Sequence, residues 1–74
     1  MKILKFNYAK LLGYMKENDV TQESLAEKTD ISITTINQSL KHGRPFNVEN
    51  IMKIASVLNI NPCDIPYYFF KTKV

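Results

Sequence analysis

A chain of 74 residues is long enough for one small domain, and its 45% hydrophobic content argues against disorder. The net charge of +3 permits a polyanionic partner without requiring one, and the single cysteine, Cys63, excludes an intramolecular disulfide. No segment has the unbroken apolar run of a signal peptide or a membrane span, so we expect a soluble, intracellular protein.

The first helix is predicted to begin at Asn7, a residue type that caps free backbone N–H groups. Phe6 and Leu11 flank this cap at the spacing of a hydrophobic staple. The apolar positions that follow have the i, i+3, i+4, i+7 spacing of one buried helix face: Tyr8, Leu11, Leu12 and Met15. Polar residues 17–19 end this helix.

The second and third helices are predicted to form a closely spaced pair. Thr21 is the N-cap of the second helix, whose Leu25 and Ala26 face inward and whose end lies at Asp30. Ser32 caps the third helix, in which Ile36 and Leu40 form an i, i+4 apolar pair. The third helix ends around His42 and Gly43, before Pro45.

Two further helices follow. Phe46, Asn47 and Ile51 repeat the staple and cap. The apolar stripe of the fourth helix consists of Ile51, Ile54, Ala55 and Leu58. Asn61 and Pro62 are a start signal for a short fifth helix, which we expect to be limited by Pro66.

This arrangement resembles the Cro/CI-type (XRE-like) helix-turn-helix regulators of phages and bacteria. The matching positions are residues 21–23, 25–28, 31–32, 35–36, 51, 53–55, 58 and 61–65. The resemblance covers roughly residues 7–65 and implies an all-α, five-helix domain. We therefore predict a helix-turn-helix domain over residues 1–66 and a short aromatic C-terminal extension over residues 67–74.

The resemblance also implies which side chains bind. In that family the third helix, residues 33–41 here, lies in the major groove of DNA and reads base edges. The positions that correspond to DNA contacts are Gln22, Ile33, Thr34, Thr35, Asn37 and Gln38, with Lys41 and Arg44 near phosphates. Asn and Gln can bond to adenine, while Ile and Thr can pack on a thymine methyl group.

Four positions depart from the family pattern. An arginine and a glutamate that often form an ion pair are replaced by Met15 and Leu40, for which we predict a direct packing contact. The glycine of the turn is replaced by Asp30. Ile33 places an apolar side chain at the exposed start of a helix in which residues 33–40 carry no charge.

The four consecutive aromatic residues of the extension, at positions 67–70, exceed what so small a core can bury. Two of them can fold back while two stay exposed, but we favour an interface. Tyr67, Tyr68, Phe69 and Phe70 would then form an extended strand that pairs in a homodimer, or an apolar surface for another protein.

Two functions from different classes follow. The first is a small DNA-binding transcriptional regulator, a Cro-like repressor acting on a double-stranded operator in a phage-type genetic switch. The alternative is an antirepressor that binds a partner repressor through the same surface and blocks its DNA binding, and an antitoxin is a third hypothesis. Because nucleophile, base and metal-ligand sets are missing and His42 stands alone, we expect no enzyme, cofactor or membrane partner. The implied location is the cytoplasm of a bacterial host cell.

Overall fold

The computed structural model describes residues 5–71, and within that range the chain forms five α-helices. Their bounds are α1 Ala9–Glu17, α2 Gln22–Thr29, α3 Ile33–His42, α4 Val48–Leu58 and α5 Ile65–Phe69. A 3-10 turn over Pro62–Asp64 leads into α5. The predicted all-α class is confirmed, and none of these helices is long and apolar enough to cross a membrane.

The predicted N-caps of the four later elements are confirmed. The side-chain oxygens of Thr21, Ser32, Asn47 and Asn61 accept from the backbone N–H groups of Ser24, Thr34, Asn50 and Cys63, at 3.0, 3.2, 2.7 and 3.0 Å. Each cap satisfies one of the free donors at a helix start, which stabilises a helix by about 1 kcal/mol. These caps fix where each helix begins and therefore how long each connection is.

The start of α1 differs from the prediction by one residue, because its N-cap is Tyr8 and not Asn7. Asn7 Oδ1 accepts from the N–H of Ala9 at 2.9 Å, and the helix begins at Ala9. The buried face also differs, because Leu12 is 37% exposed. Half-buried Tyr14 packs inward instead, and its hydroxyl donates to the Leu58 carbonyl at 2.8 Å. Since α5 packs beside α1, the buried stripe is displaced from Leu12 toward Tyr14.

One core connects all five helices. Its largest fully buried side chains are Leu11 on α1, Leu25 on α2, Ile36 on α3, Ile54 on α4 and Phe69 on α5. The predicted stripe of α4 is confirmed, since Ile51, Ile54, Ala55 and Leu58 are all buried. Met15 is a core residue and Leu40 packs against the core. Their direct contact in place of an ion pair stays a prediction.

The predicted extended strand at residues 67–70 is wrong. The chain continues as α5 through Pro66, which lies in the first turn, where its missing N–H breaks no helical hydrogen bond. Phe69 is only 1% exposed, and its ring packs edge-on against that of Phe46 at 6.0 Å between centroids. The boundary predicted between residues 66 and 67 therefore falls inside a helix of the domain, and residues 72–74 lie outside the described residues.

The segment before α1 is held by two distant parts of the chain. The N–H of Phe6 donates to the Gly43 carbonyl at 2.9 Å, and the N–H of Asn7 donates to the Lys71 carbonyl at 2.6 Å. Gly43 ends α3 with a φ of 68°, in the left-handed region. Residues 5–7 are thereby placed beside the end of α3 and beside Lys71, two residues after α5.

Candidate functional site on helices α2 and α3

The position of α3 follows from the residues that it buries. Ile36 and Ser39 face the core, so the opposite side of the helix is turned outward. Thr34, Thr35, Asn37 and Gln38 are exposed, and Ile33 is half-buried. Five predicted contact residues of this helix therefore lie at the surface or partly at the surface.

The turn between α2 and α3 is fixed by a residue that the sequence did not single out. The buried hydroxyl of Thr29 donates to the Leu25 carbonyl at 2.7 Å, and its oxygen lies 3.3 Å from the N–H of Ile31, which donates to it. Asp30 adopts a φ of 60°, as expected for the residue that replaces the family's glycine. With Ile31 buried, the turn holds the start of α3 against the core. In the sequence, the only indication of this role is that Thr29 lies four residues after Leu25, a core residue.

Two adjoining hollows bring most of the predicted residues together. The first is lined by Gln22, Ile33 and Asn37 together with Thr21 and Glu23. The second is lined by Gln22, Leu12, Asn37, Gln38, Leu40 and Lys41. Gln22 and Asn37 belong to both, so the hollows form one surface. We call Gln22, Ile33, Asn37, Gln38 and Lys41 the recognition face.

The other predicted residues lie outside these hollows. Thr34 and Thr35 are exposed on α3 but line neither hollow. Arg44 is exposed beyond the end of α3, where its N–H donates to the Ser39 carbonyl at 3.1 Å. Its own carbonyl accepts from the hydroxyl of Tyr8 at 2.5 Å, which anchors the loop to the residue before α1. The backbone of Arg44 is therefore held in place, and Arg44 does not line the recognition face.

The chemistry of the recognition face is polar but nearly uncharged. The amides of Gln22, Asn37 and Gln38 can donate and accept hydrogen bonds, and Ile33 adds an apolar contact at one end. Lys41 supplies a positive charge in the last turn of α3. Such a face can bind base edges or the polar groups of a protein. Among residues 5–71, no three His, Cys, Asp or Glu side chains lie close enough together to hold a metal ion.

The four aromatic residues at positions 67–70 do not form one surface. Phe69 is buried, and half-buried Tyr68 packs against the ring of Tyr14 at 5.3 Å. Tyr67 is 44% exposed, with the Lys10 and Lys71 ammonium groups at 5.8 and 5.4 Å from its ring. Phe70 is 47% exposed and packs edge-on against Phe6. Two of the four are thus available for contact with a partner.

Comparison with known proteins identifies a matching family and a similar solved structure. The Cro/C1-type helix-turn-helix DNA-binding domain family matches residues 10–71. The solution structure of the modulator of repression of the temperate bacteriophage TP901-1 from Lactococcus lactis is similar over 95% of each chain, with a TM-score of 0.73 and 36% sequence identity. No curated protein sequence matches the chain.

Proposed function

Because the chain belongs to the Cro/C1-type helix-turn-helix DNA-binding domain family, we propose that it regulates transcription in a phage-type switch as a modulator of repression. In this role the recognition face binds a partner repressor and blocks its binding to DNA. The observation that carries the proposal is the likeness to a modulator of repression over 95% of both chains. The uncharged residues 33–40 agree with a protein partner, because few positive charges are available there for phosphates.

The recognition face has the composition of a protein interface. Ile33 is an aliphatic anchor at one end, where burial against a partner would remove apolar surface from water. Around it, Gln22, Asn37 and Gln38 can form hydrogen bonds with a partner's backbone or side chains. The binding energy of such an interface is concentrated in the anchor and its nearest polar neighbours.

Direct operator binding is the second candidate, and the exposed polar side of α3 favours it. Asn37 and Gln38 can bond to adenine edges, and Thr34 and Thr35 can contact thymine or phosphate. Lys41 and Arg44 follow at the end of the helix, where phosphate contacts are common. A Cro-like repressor would use these same side chains.

The two candidates are separated by a double variant, Ile33→Ala with Gln38→Ala. Binding is measured against the purified Cro/C1-type repressor encoded in the same genome and, separately, against a duplex carrying that repressor's operator. We expect repressor affinity to fall by about 30-fold or more, the effect of losing a hot spot worth about 2 kcal/mol. Met52→Ala is the control, because Met52 is exposed on α4 away from the recognition face.

The opposite pattern overturns the first candidate. If the double variant loses affinity for the operator duplex while it binds the repressor as tightly as the parent chain, the recognition face reads DNA. The same conclusion follows if the parent chain binds the duplex in a steeply salt-dependent manner and does not bind the repressor.

The remaining parts of the proposal follow from this role. The protein acts by binding and not as an enzyme, in the cytoplasm of the bacterial host cell where repressor and operator are found. A homodimer stays a separate proposal. In that case exposed Tyr67 and Phe70 are the aromatic side chains available for the interface.

A further inference from the structure

An apolar pair lies between α1 and α3, next to the recognition face. Leu12 is exposed on α1, and half-buried Leu40 lies on α3. Both line the hollow that contains Gln38, and both also line a neighbouring hollow that reaches residues 5–9. We call these two hollows, which share Leu12, Leu40 and Lys41, the Leu12 groove.

The charges around the Leu12 groove are of one sign. Lys5 and Lys41 line it, together with His42, and no carboxylate lines it among residues 5–71. The carboxylate of Glu23 lies outside the Leu12 groove, because Glu23 lines the separate hollow that contains Ile33. Two lysines beside an exposed leucine attract a partner that is both acidic and apolar.

Resting on the proposed function, we infer that the Leu12 groove receives an acidic, amphipathic segment of the partner repressor. An aliphatic or aromatic side chain of that segment packs against Leu12 and Leu40, while flanking carboxylates face Lys5 and Lys41. This chemistry identifies the part of the repressor that docks here. A basic DNA-contacting surface is repelled by the two lysines, so the segment belongs to another surface of the repressor.

A phosphodiester backbone fits the groove less well than a protein segment. Phosphates would gain from Lys5 and Lys41 but would leave Leu12 and Leu40 without an apolar contact. An acidic, amphipathic segment supplies carboxylates for the lysines and an apolar side chain for the leucines. The recognition face and the Leu12 groove then form one continuous binding surface, since they share four residues: Gln22, Asn37, Gln38 and Lys41.

The test compares Leu12→Lys and Leu12→Gln with Met52→Lys. Met52 is a matched control, because it is 55% exposed and lines hollows that contain no residue of the groove. Titration of each variant with the purified Cro/C1-type repressor of the same genome gives the dissociation constants. We expect both Leu12 variants to bind about tenfold more weakly or worse, and Met52→Lys to stay within about twofold of the parent.

A charge variant tests the acidic nature of the segment. Lys41→Glu should weaken repressor binding by about tenfold at about 50 mM salt and by clearly less at about 500 mM salt, because salt screens the repulsion. Circular dichroism and thermal melting verify that each variant is folded. If Leu12→Lys does not fold, Leu12→Gln still tests the groove, because it replaces the apolar side chain with a polar one and adds no charge.

Each result has a distinct meaning. If the Leu12 variants bind the repressor like the parent while Ile33→Ala with Gln38→Ala does not, the groove inference is overturned and the proposed function stands. If Lys41→Glu strengthens the complex, the docked segment is basic and the inference is overturned. If Leu12→Lys binds an operator duplex more tightly than the parent does, the groove faces phosphates and the inference is overturned. If the parent chain binds no repressor, both proposals are overturned.

Discussion

At the scale of single residues, the two glycines differ in what surrounds the missing side chain. A Cβ on Gly43 would lie 2.7 Å from the Phe6 carbonyl oxygen and 3.2 Å from the Phe6 nitrogen, and φ there is 68°. A Cβ on Gly13 would meet nothing within 4 Å. Gly43 is therefore required by both backbone conformation and space, while Gly13 only adds flexibility to an exposed part of α1.

We expect Gly43→Ala to destabilise the fold by about 2 kcal/mol or more. The left-handed conformation alone costs an L-residue about 1–2 kcal/mol, and the contact with Phe6 displaces the segment that hydrogen-bonds to Gly43. Urea unfolding measures the change. Gly13→Ala is the matched control and should stabilise by about 0.5–1 kcal/mol, because alanine favours the helix. Equal effects of the two substitutions on stability would contradict the conclusion that glycine is required at position 43.

Tyr8 gives the fold a pH dependence at high pH. Burial raises the pKa of Tyr8 to about 12, from 10.0. Between those values the unfolded chain loses the phenol proton while the folded chain keeps it. The folded state then binds more protons, so its stability falls as pH rises through this window. The contribution is fully present below about pH 10, the phenol's ordinary pKa.

We expect the free energy of unfolding to fall by up to about 2 kcal/mol from this residue between about pH 10 and about pH 12. Tyr8→Phe should lose about 1 kcal/mol at pH 7, because its hydroxyl no longer donates to Arg44, and should show a shallower decline at high pH. Urea titrations at several pH values measure both. Parallel pH profiles for parent and variant would show that another group titrates.

At the scale of helices, local signals predict the structure well and neighbour-dependent ones do not. Caps at Thr21, Ser32 and Asn47 are predictable because a cap uses only its own side chain and the next three residues. The prediction that Leu12 is buried is wrong because spacing alone cannot tell on which side of α1 a later helix will pack. Pro66 does not stop α5, because the effect of a proline depends on where its helix begins.

The turn between α2 and α3 provides a test at this scale. Thr29→Val keeps the shape of the side chain but removes both hydrogen bonds of its hydroxyl, leaving the Ile31 N–H without that acceptor. We expect a loss of about 1–3 kcal/mol, typical of an unsatisfied buried group. The same change at exposed Thr35 should alter stability by less than about 0.5 kcal/mol. Thermal and urea unfolding of both variants measure the difference. Equal losses of stability would show that contacts other than the Thr29 hydroxyl stabilise the turn.

At the scale of the whole molecule, the match over residues 10–71 confirms the prediction of a Cro/C1-type helix-turn-helix regulator. The family could be predicted because its caps and apolar positions recur along the whole chain. The Leu12 groove could not, because it brings together Lys5, Leu12 and Lys41 from separate segments. A net charge of +3 also gives no sign that these charges surround an apolar pair.

The hydrogen bonds of residues 6 and 7 join parts of the chain that are far apart in sequence. Asn7 bonds to Lys71 and Phe6 bonds to Gly43, so the two ends of the described range meet on one side of the domain. The path of the chain from residue 7 to residue 71 is therefore nearly a closed ring. A short linker from residue 71 to residue 5 would close that ring at little entropic cost. The sequence could then be opened at another exposed connection, as a circular permutant, without rearranging the helices.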